Sequence, residues 1–389
     1  MSWKNIIGQQ QQIHVLQKAL ETGHFAHAYL FTGPEGSGKE SVAFEIASLL
    51  NCRNSGQNNP AGSCGTCPDC LQISSFMHPN VEYLFPVESA LLDPGDSAKK
   101  ENKRFTEAKE RYDALLEKKQ QNPYFAPSME RSMGILTEQI ITLQHKALFM
   151  PNEGSKKLFI ISQAERLHPS AANKLLKLLE EPPAHVVFIL VSSRPEALLP
   201  TIRSRCQVVR FSRVTSHELR LWLQTNRPEI VEPELSFIVS FSRGNLRLAW
   251  ELINNRSENP SETATILLRN QALDYLRHLL TPSRFHEAII ACEQNAKNLS
   301  RSDLTLFLAA LLLFFQDANH RRIKPDFQEL NNPDISDAVN RFAKNFPKTD
   351  FFQISTIAED AIRAIERNAN PLLVLASFTV EIRKLLLRA

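Results

Sequence analysis

The sequence predicts an α/β domain, built on a parallel sheet with helices on both faces, followed by an all-helical C-terminal region. Between residues 28 and 211, short β-branched apolar runs alternate with segments of helical periodicity, as they do in parallel sheets. Beyond Ser212 the strand signals stop and helical patterns continue. The length of 389 residues favours two or three domains.

The first strand leads into a glycine-rich loop that is typical of phosphate binding. A helical pattern with Ile13, Leu16 and Leu20 in residues 1–24 precedes a strand ending at Thr32. The loop that follows is Gly33-Pro34-Glu35-Gly36-Ser37-Gly38-Lys39. The glycines Gly33, Gly36 and Gly38 allow backbone N–H groups to face an anion at a helix N-terminus, and Lys39 would reach the β- and γ-phosphates. The next position normally carries a Ser or Thr that holds Mg²⁺, but this chain has Glu40.

A second buried strand ends without the acidic residues that ATP hydrolysis requires. The apolar run 158–161 is followed by Ser162 and Gln163, where a phosphate-loop ATPase has an Asp for Mg²⁺ and, in many members, a Glu for the attacking water. A serine has no charge for the metal, and the amide of Gln163 cannot accept a proton at neutral pH. Because Glu40 affects the same reaction, we expect hydrolysis to be lost. The loop could still hold ATP or ADP passively or be empty, and we expect no tight binding.

Four cysteines with metal-ligand spacing follow the first loop and helix. Cys52, Cys64, Cys67 and Cys70 suit tetrahedral Zn²⁺, with the close pairs on tight turns and Cys52 as the fourth ligand. Four thiolates leave no position for water, so the pattern predicts a structural zinc rather than a catalytic one. The alternative is four unligated surface thiols.

Residues 87–133 form an insertion that is rich in charge and contains a helical pattern. Phe105, Ala108, Tyr112, Leu115 and Leu116 fall at helical spacing, and Glu107 and Arg111 are four residues apart. The pattern predicts an exposed amphipathic helix, which is either a solvated arm or a docking surface for a partner or DNA.

Composition and charge give little evidence about partners. The formal net charge of +3 neither requires nor excludes nucleic acid. The N-terminal residues lack a signal-peptide pattern, and the longest apolar run, Leu304–Phe315, is too short to span a bilayer. With a cysteine cluster of the reduced, metal-binding kind, these features predict a cytoplasmic protein without a membrane partner.

Taken together, the motifs resemble those of bacterial clamp-loader AAA+ subunits. The shared segments follow one another in family order: Gly33 to Lys39, the four cysteines, Leu158 to Leu167, Leu175 to Pro183, Ser204-Arg205-Cys206 and Arg367-Asn368-Ala369-Asn370-Pro371. The resemblance implies an AAA+ P-loop domain in residues 1–211, containing the zinc module (52–70) and the insertion (87–133). It also implies a helical lid in residues 212–256 and a helical collar in residues 257–389 that joins five subunits in a ring.

The resemblance also implies roles for two arginines. Arg205 matches the arginine of the family's Ser-Arg-Cys motif, which reaches the ATP site of the neighbouring subunit; an arginine supplied in trans suits a charged phosphoryl transition state. From spacing alone, the alternative is that Arg205 pairs with a surface carboxylate. Arg247, in Gly244-Asn245-Leu246-Arg247, matches the second sensor arginine and would either contact a nucleotide or stabilise the lid interface.

Three functional hypotheses follow. The first is a noncatalytic clamp-loader subunit that assists gamma/tau and delta subunits in placing the sliding clamp on primed DNA. The second is an active ATPase of the gamma/tau type with unconventional metal ligands. The third is a zinc-containing DNA-binding module that uses basic residues between Lys99 and Lys119.

Overall fold

The chain forms two compact units. The computed structural model describes residues 3, 6–54, 62–92, 103–151, 155–230, 232, 234–254, 264–327 and 329–387. The first unit comprises the described residues up to Leu219 together with Gly244–Trp250, and the second comprises Arg220–Arg243 and the described residues from Glu251 onward.

A five-stranded parallel sheet forms the centre of the first unit, as the sequence predicts. The spatial order of the strands is β2-β3-β4-β1-β5, and every neighbouring pair is parallel. Every residue of β1, β3 and β4 is buried, which explains their continuous apolar character. The strands are Ala28–Thr32 (β1), Val81–Leu84 (β2), Lys157–Ile161 (β3), Val186–Ser192 (β4) and Gln207–Arg210 (β5).

Helices cover both faces of this sheet over two separate apolar clusters. Phe31 and Phe44 belong to the cluster on one face, whereas Leu30, Phe159 and Leu175 belong to the cluster on the other. The helices are Gln10–Glu21 (α1), Lys39–Asn51 (α2), Pro68–Ser74 (α3), Lys103–Gln121 (α4), Thr137–Ala147 (α5), Pro169–Glu180 (α6) and Pro200–Arg203 (α7). The first helix begins later than its periodicity suggests, because Gly8 and Gln9 adopt left-handed backbone conformations with φ of 67° and 64°.

The insertion helix α4 is anchored to the sheet domain on one face. Ala108 is fully buried in a small apolar cluster with Phe85, Val87 and Met129. The guanidinium of Arg111 donates two hydrogen bonds, of 2.8 and 3.0 Å, to the carboxylate of Glu88. The helix is therefore a packed element with one solvated face, not an arm surrounded by solvent.

In the described part of the second unit, all of the regular secondary structure is helical. Helix α13 is central: it packs against α11, α14 and α15, and its segment from Leu304 to Phe315 is almost wholly buried, as predicted for the longest apolar run. The remaining helices are Ser216–Asn226 (α8) and Leu246–Asn254 (α10), each of which has residues in both units, Glu234–Ser242 (α9), Ala264–Leu280 (α11), Phe285–Asn298 (α12), Arg301–Ile323 (α13), Ser336–Asn345 (α14), Phe351–Glu366 (α15) and Pro371–Leu387 (α16). Among the described residues, no helix is long and apolar enough to cross a membrane.

Candidate functional site

The glycine-rich loop connects β1 to the N-terminus of α2, and two of its glycines are required by space. A β-carbon on Gly33 would lie 2.2 Å from the carbonyl oxygen of Phe211, and one on Gly36 would lie 1.8 Å from Oδ1 of Asn245. Gly38 is the residue before α2 and has φ of 87°, so the loop ends in a left-handed turn that favours glycine. The loop thus has the strand-loop-helix geometry of an anion site.

Lys39 is folded onto its own loop. Its Nζ donates hydrogen bonds of 2.7 and 2.6 Å to the carbonyl oxygens of Gly33 and Pro34. Burial lowers the pKa of Lys39 to about 8, and the negative charges of Glu40, Glu165 and Glu35 oppose this shift. The ammonium is therefore held by backbone oxygens at the place where a phosphate would be bound.

Glu40 points into the protein and joins a buried hydrogen-bond cluster. Its Oε1 accepts a hydrogen bond from Oγ of Ser162, and its Oε2 accepts one of 2.8 Å from the hydroxyl of Tyr83. Burial raises the pKa of Tyr83, so the phenol stays a donor. The two positions that hold Mg²⁺ in phosphate-loop ATPases are here in direct contact with each other.

A lysine from the insertion completes this cluster. Lys119, near the end of α4, is fully buried, and its Nζ forms an ion pair with Oε2 of Glu40. The same Nζ donates to the carbonyl oxygens of Pro123 and Phe125, at 2.9 Å in the case of Pro123. Burial lowers the pKa of Lys119, while the adjacent carboxylate of Glu40 opposes the shift.

No local sequence pattern identifies Lys119 as a site residue. It lies 79 positions from Glu40, in a helix whose other basic residues are mostly solvated, so helical periodicity gives no signal. The DNA-binding hypothesis places Lys119 among the basic residues that would touch a duplex. That assignment is wrong, because a fully buried ammonium cannot reach a phosphate backbone.

The residues after Lys119 contact the other positions of the predicted nucleotide site. Nε2 of Gln163 donates to the carbonyl oxygen of Pro127 at 2.9 Å. The guanidinium of Arg247 lies 5.3 Å from the ring centroid of Phe125, which is within cation–π distance. A cavity of about 220 Å³ lies between the loop and residues 123–128.

Arg205 lies at the surface just after α7. Its side chain is 35% exposed, and its guanidinium pairs with Oε1 of Glu180 at 2.7 Å and donates to the carbonyl oxygen of Thr201 at 3.0 Å. The surface pairing foreseen as one alternative is therefore present in the isolated chain. Such half-exposed pairs contribute little to stability.

The four predicted metal ligands come together in space. The sulfur atoms of Cys52, Cys64, Cys67 and Cys70 all lie within 4.8 Å of one another. Three of the Sγ–Sγ distances are 3.5, 3.9 and 3.9 Å, close to the ~3.8 Å edge of a tetrahedron with Zn–S bonds of ~2.3 Å. Backbone N–H groups of Thr66 and Cys67 lower the pKa of the Cys64 thiol to about 5, whereas burial raises the pKa of the Cys52 and Cys70 thiols, so the support for a metal site is the geometry of the four sulfur atoms. The donor set fits a closed structural Zn²⁺ site.

The sheet order, the phosphate loop and the helical second unit define the class of protein: an AAA+-type α/β protein with a mostly helical C-terminal region. The family whose description is DNA polymerase III, delta subunit, matches residues 8–215, more than half of the chain. This chain therefore belongs to the clamp-loader subunit family of DNA polymerase III.

Relatives in this family include both kinds of subunit considered above. The chain is 29% identical to DNA polymerase III subunit delta' of Bacillus subtilis over 69% of this chain and 66% of that protein. It is 27% identical to subunit tau of the same species over 65% of this chain and 37% of that protein. It therefore spans between about a third and two thirds of the length of these relatives. A solved gamma-subunit-related protein of Thermotoga maritima aligns over 96% of this chain and 99% of that chain, with 16% identity and a TM-score of 0.41.

Proposed function

We propose that this chain is a noncatalytic, delta-prime-type subunit of the DNA polymerase III clamp loader. The observation that carries the proposal is the ion pair between Glu40 and Lys119, which lies where an ATPase holds Mg²⁺. A metal ion cannot share that position with an ammonium group. The site would then have no metal ion, and it has Gln163 where an ATPase has an acidic residue. It therefore lacks the groups that phosphoryl transfer uses.

The proposed contribution to catalysis is Arg205, supplied in trans. It lies on the surface and is held in the isolated chain by a half-exposed pair with Glu180. A guanidinium has planar, permanently charged donors that match phosphoryl oxygens. In an assembly, we expect Arg205 to leave Glu180 and stabilise the transition state of ATP hydrolysis in the neighbouring subunit.

The proposed partners and organisation follow from the same family. We propose that gamma/tau and delta subunits surround this chain and that the assembly acts on the sliding clamp and primed DNA in the cytoplasm. Within the chain, residues 1–211 form the AAA+ domain, residues 212–256 the lid and residues 257–389 the collar. The cysteine module would hold Zn²⁺ and fix the loop between α2 and α3.

The test is ATP hydrolysis by the reconstituted assembly in the presence of clamp and primed DNA. We expect the isolated chain to be inert. Arg205→Ala should slow hydrolysis at the site it completes by about 10³-fold, and Arg205→Lys should rescue little of this loss because lysine lacks the planar fork. The assembly must be shown to remain intact by gel filtration.

Arg203→Ala is the matched control, since Arg203 is an exposed arginine two positions earlier in the same segment. Glu180→Ala is a second control: it removes only the resting partner of Arg205 and should leave turnover equal or slightly higher. Equal turnover for the Arg205→Ala assembly and the wild type contradicts the role in trans.

A specific observation also gives a basis for the active-ATPase alternative. Glu165 lines the loop cavity, its Oε1 accepts from Oγ of Ser193 at 2.8 Å, and its buried Oε2 has no hydrogen-bond partner. This carboxylate could act as a base for an attacking water. The alternative predicts hydrolysis by the isolated chain that is abolished by Glu165→Gln.

A further inference from the structure

Residues 119–128, here called the plug segment, contact several parts of the predicted nucleotide site. Lys119 pairs with Glu40, and the carbonyl oxygen of Pro123 accepts a hydrogen bond of 3.1 Å from Oγ of Ser41. These contacts tie the plug segment to the first turn of α2, where backbone N–H groups of a phosphate loop bind phosphate.

The ammonium of Lys119 fills the place of the metal ion. A lysine has three N–H donors, and those of Lys119 are directed at the carboxylate of Glu40 and the carbonyl oxygens of Pro123 and Phe125. Two of these three acceptors belong to the plug segment itself. The cation is therefore supplied, positioned and saturated from within the chain.

Two aromatic residues of the plug segment engage the remaining sides of the site. The ring of Tyr124 lies 3.7 Å from where a β-carbon on Gly38 would be, and its hydroxyl is hydrogen-bonded to the backbone of Ile7. The ring of Tyr124 also packs edge-on against Trp250, with centroids 5.8 Å apart. Phe125 lies against the guanidinium of Arg247, the residue that corresponds to a nucleotide sensor.

Charge and volume both oppose a nucleotide at this position. The carboxylate of Glu40 and the ammonium of Lys119 cancel, so an incoming phosphate would meet a neutral pair whose donors are already used. The remaining cavity of about 220 Å³ is below the roughly 300–1,000 Å³ of ligand pockets.

We propose that the plug segment is an intramolecular occupant of the metal position of the nucleotide site, with the ammonium of Lys119 in place of Mg²⁺ and with the rings of Tyr124 and Phe125 narrowing the cavity beside the loop and Arg247. This proposal extends the proposed function, and it rests on one part of that function, namely that the loop is an inactive nucleotide site. It gives a role to the insertion and explains why Glu40, Ser162 and Gln163 differ together: Glu40 and Gln163 contact the plug segment directly, and Ser162 contacts Glu40.

The test measures binding of a fluorescent ATP analogue to the full chain, with Mg²⁺ or with EDTA. We expect no saturable binding by the wild type. The triple variant Glu40→Thr/Lys119→Ala/Tyr124→Ala restores a metal-binding hydroxyl and opens the loop. We expect it to show saturable binding with a Kd at least about tenfold below the highest analogue concentration at which the wild type fails to saturate, and we expect EDTA to abolish this binding. Adding Lys39→Ala should abolish that binding. The control Lys109→Ala removes a solvated lysine of α4 and should bind no better than the wild type.

Two results overturn the proposal: Mg²⁺-dependent binding by the wild type as tight as that of the triple variant, or a folded triple variant that gains no affinity. Circular dichroism reports folding, and the double variant Glu40→Thr/Lys119→Met, which keeps Tyr124, serves if the triple variant does not fold. It should show a smaller gain with the same Mg²⁺ dependence.

This outcome is separate from that of the proposed function. A wild-type chain that binds ATP with Mg²⁺ as tightly as the triple variant but does not hydrolyse it, in an assembly that still needs Arg205, contradicts the plug and leaves the clamp-loader role intact. Hydrolysis of ATP by the isolated wild-type chain contradicts both the plug and the proposed noncatalytic function.

Discussion

At the residue scale, Glu40 shows how a carboxylate can replace the usual Ser or Thr of the loop and still be buried. A buried carboxylate is costly unless it is paired and hydrogen-bonded. Glu40 meets both conditions, because Ser162, Tyr83 and Lys119 all donate to it. Glu40 stands where the usual Ser or Thr would bind the metal ion, and its carboxylate instead accepts the hydrogen bonds of the buried cluster.

Replacing Lys119 alone should destabilise the protein more than replacing both residues of the Glu40–Lys119 ion pair. Lys119→Met leaves the buried charge of Glu40 without its partner, and we expect a loss of about 3–5 kcal/mol in the free energy of unfolding. Adding Glu40→Gln removes the charge while keeping an acceptor for Ser162 and Tyr83, so the double variant should be more stable than Lys119→Met alone. Urea unfolding at neutral pH measures both values.

Lys109→Met is the control for this comparison, since Lys109 forms a half-exposed pair with Asp113 on the same helix and should change stability by less than 1 kcal/mol. A double variant that is no more stable than Lys119→Met would show that the two groups are not coupled.

A second buried carboxylate gives the first unit a pH dependence. Burial raises the pKa of Glu45 to about 7, against hydrogen bonds from the backbone and side chain of Ser63. Its pKa in the unfolded chain is near 4.5, so between these values the folded state binds more protons and stability falls as pH rises. Relative to Glu45→Gln, the wild type should lose about 2–3 kcal/mol between pH 5 and pH 8 and change little above pH 8. Urea unfolding of both proteins across this range measures the difference; parallel pH profiles contradict the assignment.

At the element scale, the sequence predicts the framework because its signals are local. The strand Lys157–Ile161 falls on the apolar run 158–161, and the first helix contains the periodic residues Ile13, Leu16 and Leu20. The four cysteines meet because their spacing already brings them near one another. The contact of Lys119 with Glu40 could not be predicted in this way, since it depends on how helix α4 packs against α2 and β2.

The cysteine module should bind one Zn²⁺ per chain and depend on all four thiols. The approach of the sulfur atoms to within 4.8 Å of one another suits a closed tetrahedral site, and each Cys→Ser change removes a thiolate ligand. We expect Cys67→Ser to lose most of the metal and to lower the melting temperature of the protein. Elemental analysis and differential scanning calorimetry measure the two effects.

Cys292→Ser is the matched control, because Cys292 is a buried cysteine of α12 outside the cluster. It should retain the full zinc content even if packing suffers. Wild-type protein that contains no zinc after purification without chelators would favour the alternative of unligated thiols.

At the scale of the whole molecule, each of the two units buries large aromatic side chains of its own. Phe188 is fully buried in the sheet of the first unit, and Phe315 is fully buried in α13 of the second, where it contacts Phe314 and Phe342. Proteins with more than one compact unit commonly depart from a single two-state transition.

Calorimetry should therefore show two unfolding transitions that respond to different substitutions. Phe315→Ala removes a large side chain from the helical core and should destabilise that unit by about 3–5 kcal/mol, lowering one transition while zinc content stays unchanged. Phe188→Ala should lower the other transition by a similar amount, and the zinc module, which belongs to the same unit, should lose metal at the lower temperature. Metal release followed with a chromogenic chelator during heating assigns each transition. If both variants shift one common transition equally, the two cores unfold as one cooperative system, and the division into separately folding units is wrong.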